Sequence, residues 1–281
     1  FLAALAALAE KPTRVSDIFM TIGAKPEKYA SCRILYKGKW KTILLDEHIP
    51  VMGNRPAFSQ DVKNGAWVCM LEKAWAKLYS SFRRIDAGYD EEGLHDLTGA
   101  HYKALRIKAP DYDQEEGWKY ILTGLEKGYC MVGSTKPGSD QNIPSSGVIL
   151  GHAYTLLSAA DFQFQGKRQR VIKCRNPWGK TESQLRWNDT DPNWNYVSQQ
   201  VKDKIGYRND LTDGEFFITY EDFMNEFRMI GSAEINDTAS YVYYTQDDSD
   251  KTGKCFAVDI LKKGEYSFQV NQTPHRVYPN G

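Results

Sequence analysis

Hydrophobic residues recur at helical spacing between Gly65 and Phe82. Residues three or four apart share one face of a helix with a 3.6-residue period. The apolar residues on that face are Val68, Leu71, Trp75, Leu78, Tyr79 and Phe82. The pattern predicts a helix that packs into the core and is not a ligand site. Two more helices are predicted, Gln114–Lys127 stopped by Gly128, and the apolar run Phe1–Ala9 closed by Pro12.

Apolar runs bounded by turn residues predict β-strands. The clearest case is a hairpin in which Thr155–Phe164 and Arg168–Cys174 flank the turn Gln165–Lys167. Three further strands are predicted, at residues 35–45, Tyr129–Val132 and Glu215–Thr219, and a helix at Tyr220–Phe227. A loop is predicted at Ala87–Gly99 and a surface loop at Ser134–Ser146. Near the end of the chain, β-type runs lie at Tyr241–Thr245, Cys255–Ile260 and Tyr266–Val270.

Composition narrows the class of protein. The hydrophobic fraction of 41% is typical of a packed globular chain and excludes a disordered one. Basic and acidic residues number 36 each, so no overall charge favours nucleic acid or a membrane surface. No run reaches the roughly 18 apolar residues that a membrane-spanning helix requires. Five scattered cysteines without a CxxC pair indicate reduced thiols and predict a cytoplasmic protein.

Two short motifs flank the predicted hairpin. Gly151-His152-Ala153-Tyr154 precedes its first strand, and Arg175–Gly179, which reads RNPWG, follows its second. The hairpin therefore predicts that His152 lies beside Asn176. An Asn carbonyl that accepts from one imidazole nitrogen fixes the tautomer and leaves the other nitrogen for a nucleophile, as in a Cys-His-Asn triad.

Each motif alone has an ordinary explanation. A single His at a strand end is usually a structural histidine, and Asn-Pro followed by Gly usually marks a turn. The two motifs at hairpin spacing favour a catalytic pair.

These motifs resemble the protease core of the calpain family. After GHAY and RNPWG, the segment Asp213–Phe217 (DGEFF) precedes a helix that begins YEDFM, and the resemblance continues upstream through Trp40–Pro50, Leu71–Leu78 and Asp96–Gly99 in calpain order. It covers roughly residues 1–230. It implies an α+β fold with a papain-like two-subdomain cysteine protease core. The helical first subdomain would span residues 1–133 and the β-rich second subdomain 134–231. Residues 232–281 would begin a C2-like all-β sandwich domain.

The same resemblance assigns roles around the site. The nucleophilic Cys would lie two residues before Phe1, at the N-terminus of a buried helix, and the oxyanion-hole Gln would also lie upstream. Trp178 would cover the bond between His152 and Asn176. Gly133 and Gly151 would let the substrate backbone approach the cleft. The five cysteines present are predicted to be small buried thiols.

Acidic residues form a second group. Glu182, Asp189, Asp213 and Glu215 would, from charge alone, be a solvated surface. The resemblance implies instead that they bind Ca²⁺ in the second subdomain together with the backbone carbonyl of Leu211, since calcium takes six to eight oxygen ligands. In the first subdomain His95 stands where the family has a Glu. A His is a poor substitute for a bidentate carboxylate on a hard cation, which puts a calcium site there in doubt.

The resulting hypothesis is a calcium-dependent cysteine endopeptidase that cuts flexible segments of protein substrates, with possible regulatory domains or subunits outside this chain. A rival is a catalytically inactive calpain-like scaffold that responds to calcium. The residue two positions before Phe1 would discriminate the two. A transglutaminase is a weaker alternative because that chemistry usually pairs its His with Asp.

Overall fold

The computed structural model describes residues 1–22, 29–60, 65–235, 242–243 and 257–270. The chain is a mixed α+β protein. Its α-helices are α1 (Leu2–Ala9), α2 (Pro12–Ser16), α3 (Trp67–Leu78), α4 (Asp90–Thr98), α5 (Gln114–Glu126), α6 (Gln199–Ile205) and α7 (Tyr220–Glu226), and short 3-10 helices lie at Phe82–Ile85 and Pro192–Tyr196. Its strands are β1 (Phe19–Ile22), β2 (Tyr29–Tyr36), β3 (Lys39–Asp46), β4 (Val51–Met52), β5 (Arg55–Pro56), β6 (Tyr102–Arg106), β7 (Cys130–Thr135), β8 (Ala153–Phe164), β9 (Lys167–Arg175), β10 (Glu215–Thr219) and β11 (Phe227–Ala233).

A six-stranded antiparallel sheet forms the centre of the fold. Its strand order is β10-β9-β8-β7-β11-β6. A three-stranded sheet, β1-β2-β3, and the short β4-β5 hairpin are separate from it. In the described part of the chain, no helix is both long and apolar enough to cross a membrane.

Two large hydrophobic cores lie around α1 and around the six-stranded sheet. The first joins α1 to β2, α3 and α4, and includes Leu5, Ile34 and Trp75. The second fills the space between the sheet, α5 and α7. The α1 helix also lies against the sheet, where Ala3 O accepts a hydrogen bond of 3.1 Å from Thr155 Oγ1.

The predicted hairpin is confirmed. Strands β8 and β9 are joined by Gln165 and Gly166, whose φ angles are +49° and +73°. Positive φ at both central residues defines a two-residue turn whose twist matches that of paired strands. The register pairs Thr155 with Arg175, so the first strand begins beside the end of the second.

The helix predicted at Gly65–Phe82 is confirmed as α3, with its end at Leu78 and a separate 3-10 turn from Phe82. The loop predicted at Ala87–Gly99 is wrong, since α4 forms there. Its first turn is acidic, which suits the positive end of the helix dipole, and Gly99 ends it at φ +66°. Burial of Leu94 and Leu97 then outweighs the weak local pattern.

The single strand predicted over residues 35–45 is also wrong. The chain turns at Lys37 and Gly38, with φ of +50° and +68°, and forms the β2–β3 hairpin. Tyr129–Val132 is confirmed as part of β7, which continues through Gly133 to Thr135. The predicted subdomain boundaries after residues 133 and 231 therefore fall inside β7 and β11.

The predicted β-type runs after residue 235 fall largely outside the described residues. Tyr241–Thr245 and Cys255–Ile260 are described only at residues 242–243 and 257–260. The run Tyr266–Val270 forms no strand. Gln269 nevertheless contacts the six-stranded sheet, because its side-chain amide bonds both backbone groups of Tyr102 at 3.0 and 3.2 Å.

Candidate active site

His152 and Asn176 meet at one end of the β8–β9 hairpin. His152 lies immediately before β8 and Asn176 immediately after β9. The distance from His152 Nε2 to Asn176 Oδ1 is 3.0 Å. The hairpin therefore brings together the two residues that its flanking motifs single out.

The environment of Asn176 fixes the orientation of its amide. Asn176 is 0% exposed. Its Nδ2 donates to the carbonyls of Lys180 at 2.6 Å and Thr181 at 3.1 Å, and its Oδ1 also accepts from the backbone N–H of Trp178 at 3.0 Å. Since Oδ1 can only accept, His152 Nε2 must carry the proton in their bond. Nδ1 is the ring nitrogen left for acid–base chemistry.

Aromatic rings cover the imidazole of His152. The ring centroid of Trp178 lies 4.5 Å from it, and Tyr154 approaches edge-on at 5.0 Å. Burial lowers the pKa of His152 below its ordinary value, and the bond to Asn176 opposes this only in part.

Thr135 holds the backbone of His152, a contact that no sequence signal indicates. Thr135 Oγ1 accepts from His152 N at 2.9 Å and donates to His152 O at 3.0 Å, and Thr135 N bonds the same carbonyl at 2.9 Å. Strand β7 thus fixes the residue from which the imidazole extends.

Both predicted cleft glycines are packed against the protein itself. Gly151 has φ of +61°, and a Cβ there would lie 2.5 Å from Gly138 O. A Cβ at Gly133 would lie 2.8 Å from the ring of Phe227. These contacts account for a glycine at each position, and the role beside a substrate stays a prediction.

The described cysteines are Cys32, Cys69, Cys130 and Cys174, and all four are buried. Burial raises the pKa of Cys32 to about 12 and that of Cys174 still higher. A thiol is nucleophilic only as its thiolate. The prediction that these cysteines are structural is confirmed for the four, and Cys255 lies outside the described residues.

Three of the predicted acidic ligands influence one another electrostatically. Glu182 and Asp189 are 5% and 2% exposed. Besides burial, the carboxylate of Asp213 raises the pKa of both groups, and that of Glu182 raises the pKa of Asp189. Burial is the larger cause, and the pKa values rise to about 7 for Glu182 and about 8 for Asp189. Glu182 Oε1 accepts from Gly214 N at 3.0 Å. Glu182 Oε2 and Asp189 Oδ1 are buried and have no hydrogen-bond donor among the described residues.

Glu215 and Leu211 lie differently. Glu215 bonds Lys173 Nζ at 2.5 Å and also Arg175, and these cations lower its pKa although burial acts to raise it. Leu211 is exposed on the loop before β10. Within the described ranges, no three His, Cys, Asp or Glu side chains converge closely enough to hold a metal ion as they stand.

His95 lies on α4 and uses its Nδ1 in a contact of 3.2 Å with Ala100 O. Burial lowers the pKa of this imidazole. The ring also packs against Tyr102 at 5.4 Å between centroids. These contacts are those of a packed structural histidine.

Known proteins resemble this chain over most of its length. A family model described as calpain family cysteine protease matches residues 1–233. A calpain-type cysteine protease of Zea mays is 31% identical over 237 residues, which are 82% of this chain and 11% of that protein. The calpain-2 catalytic subunit of Gallus gallus is 31% identical over 196 residues, and that of Homo sapiens 29% over 194; each match covers 68% of this chain and 27% of the relative. The chain thus spans about a quarter or less of these relatives.

Proposed function

The chain belongs to the calpain family of cysteine proteases, and from that premise we propose that it forms most of the catalytic core of a cysteine endopeptidase acting by a Cys-His-Asn mechanism. The single observation that carries this proposal is the 3.0 Å bond between His152 Nε2 and Asn176 Oδ1. A papain-like arrangement of two subdomains is part of the proposal. The two large cores support it, since α1 belongs to the first core and also contacts the sheet that lines the second.

The reaction follows from the tautomer of His152. A cysteine thiol supplied by residues before Phe1 transfers its proton to Nδ1 of His152, and the thiolate attacks a peptide carbonyl of a protein substrate. The imidazolium then gives that proton to the leaving amine. Asn176 Oδ1 accepts from Nε2–H throughout, which keeps the ring orientation fixed. Trp178 shields this bond from water.

The expected test uses the chain extended upstream of Phe1. We expect it to cleave casein, and His152→Ala to abolish cleavage, while His48→Ala, which changes an exposed histidine, leaves it intact. Full activity of the His152→Ala protein would refute the mechanism. A residue other than Cys two positions before Phe1, together with no cleavage, would favour the inactive scaffold.

We also propose calcium as the cofactor, held by carboxylates of Glu182, Asp189 and Asp213. Two buried carboxylate oxygens have no donor among the described residues, which supports this because buried charges are normally paired or bound to metal. Bound calcium would supply positive charge that keeps these carboxylates ionised. Glu215 fits the ligand set poorly while it pairs with Lys173 and Arg175, and His95 adds no carboxylate.

Thermal unfolding of this chain tests calcium without any activity assay. We expect CaCl₂ to raise the Tm relative to EDTA, and Glu182→Gln to remove that increase. Glu221→Gln serves as the matched control because Glu221 is an exposed carboxylate. An equal Tm in CaCl₂ and EDTA, or equal casein cleavage in both, would contradict the calcium requirement.

A further inference from the structure

Asp90 is a buried carboxyl outside the site described so far. It lies in the first turn of α4 and is 6% exposed. Its Oδ2 accepts a hydrogen bond from Ser134 Oγ of β7. Buried carboxyls are rare without a structural or functional reason, since removing the charge from water is costly.

The bond from Asp90 reaches the part of β7 that holds His152. Ser134 pairs in the sheet with Ala153, the residue after His152. The neighbouring Thr135 makes the three bonds to the His152 backbone. Asp90 is thus anchored to the strand segment that positions the imidazole.

The same helix packs against the beginning of α1. Gly93 lies one turn after Asp90, and a Cβ there would lie 3.5 Å from Phe1 Cα and 3.3 Å from Ala4 Cβ. Residues i and i+3 of a helix share one face. The carboxylate of Asp90 is therefore on the helix face that meets both the N-terminus of α1 and the strand of His152.

Two carboxylates among the described residues act on the imidazole of His152. Burial lowers the pKa of this ring, and the carboxylates of Asp140 and Asp90 raise it. The adjoining Asn176, Tyr154 and Trp178 are uncharged. Asp140 is exposed on the loop between β7 and β8, so salt screens it, whereas a buried carboxylate is screened much less.

We propose that Asp90 is a positioning residue of the catalytic centre, whose buried carboxylate, held by Ser134, stabilises the protonated imidazole of His152. This role rests on the proposed function, in which Nδ1 takes the proton of the thiol. A carboxylate near the ring favours its protonated form. Asp90 therefore favours the ion pair without touching the substrate.

The primary test is the pKa of His152 measured by NMR in this chain with labelled histidine. The Asp90→Asn and Asp140→Asn variants are compared with the parent protein at about 0.05 M and 1 M salt. We expect Asp90→Asn to lower the pKa by roughly half a unit or more at both salt concentrations, and Asp140→Asn to lower it only at the lower one. An unchanged pKa in Asp90→Asn at 1 M salt would overturn the proposal.

A second measurement avoids the variant at Asp90 in case it does not fold. In the Asp140→Asn protein, the His152 ring resonances are followed to acid pH. Ionisation of a coupled carboxylate produces a second inflection in such a curve. We expect that inflection where Asp90 protonates, and its absence would contradict the role of Asp90.

Kinetics separate this inference from the proposed function. In the chain extended upstream, Asp90→Asn should move the basic limb of kcat/KM to lower pH, because the imidazolium loses its proton more readily. A lowered pKa of His152 without any peptidase activity would support the role of Asp90 and refute the peptidase. Peptidase activity in Asp90→Asn with an unshifted basic limb of kcat/KM would support the peptidase and refute the role of Asp90.

Discussion

Asn176 and the pair Glu182–Asp189 occupy one stretch of chain between β9 and α6, yet their polar atoms are paired differently. Both side-chain atoms of the fully buried Asn176 form hydrogen bonds, and Oδ1 accepts two. Glu182 and Asp189 are nearly as buried, but each keeps one oxygen without a donor among the described residues. The polar side-chain atoms of the first group are all paired, whereas the second group keeps unpaired oxygens in the described part of the chain.

The two groups therefore differ in how they respond to solution conditions. A network whose donors and acceptors are all paired holds one geometry, so the bond between His152 and Asn176 needs nothing added. Two buried carboxyls that share a site raise each other's pKa, and such a pair responds to protons and cations. The structure thus combines a rigid pair, His152 and Asn176, with an adjoining acidic pair whose charge depends on solution conditions.

The largest effect is expected from breaking the complete network. Asn176→Ala leaves the carbonyls of Lys180 and Thr181, the Trp178 N–H and His152 without their partner. We expect a loss of about 3 kcal/mol in the free energy of unfolding and about 10²-fold in kcat/KM. Urea unfolding and casein cleavage by the extended chain measure the two. Asn195→Ala, at an exposed position, is the control, and equal losses in both variants would show that the network is not special.

The acidic pair predicts how stability depends on pH. The folded pKa values of about 7 and 8 lie above the ordinary values near 4, so the folded protein binds more protons between pH 4 and 8. In EDTA, these two groups should therefore lower the free energy of unfolding as pH rises through that window, by about 1.4 kcal/mol for each unit by which a folded pKa is raised. The urea midpoint at successive pH values measures the slope. If the difference in urea midpoint between the parent protein and Asp189→Asn does not change with pH, this pH dependence is contradicted.

Removing one of the two charges sharpens the comparison further. In EDTA at pH 8, Glu182→Gln should stabilise the protein by about 2 kcal/mol, because the remaining carboxylate no longer faces a buried like charge. Urea unfolding measures this. Glu221→Gln should change stability by less than about 0.5 kcal/mol, since exposed charges contribute little. Destabilisation by Glu182→Gln would mean that the hydrogen bond from Gly214 N to the Glu182 carboxylate contributes more to stability than the repulsion between the two carboxylates costs.

The smallest effect is expected from Trp178, whose ring packs against the imidazole of His152. Trp178 is 37% exposed, and Trp178→Ala admits water to the imidazole of His152. Since burial is what lowers this pKa, we expect it to rise toward its ordinary value, by roughly half a unit. NMR titration of His152 checks this, with the exposed Tyr196→Ala as control. A fall in the pKa would mean that Trp178 does not shield the ring.

Local sequence predicted the elements whose patterns are strong. The stripe of α3, the stop of α5 at Gly128 and the two-residue turn at Gln165–Gly166 each depend on residues close in the chain. The hairpin then brought His152 and Asn176 together without help from distant residues. For this reason the reactive pair could be predicted from two motifs and a turn.

Sequence failed where distant packing decides the outcome. Helix α4 has a weak local pattern and forms because Leu94 and Leu97 are buried against α1 and β2. The β2–β3 turn at Lys37–Gly38 was missed because apolar residues lie on both sides of it. The cation pairing of Glu215 depends on the register of β9 and β10, which sets Arg175 opposite Glu215.

The sequence by itself determined the hairpin, the core face of α3 and the pairing of an imidazole with an amide, because neighbours along the chain fix these. Only the tertiary structure decided which acidic residues share a buried site, which one is neutralised by Lys173 and Arg175, and which strand holds His152 in place. These depend on contacts between segments far apart in sequence, whose burial and distance set the energy of each charge.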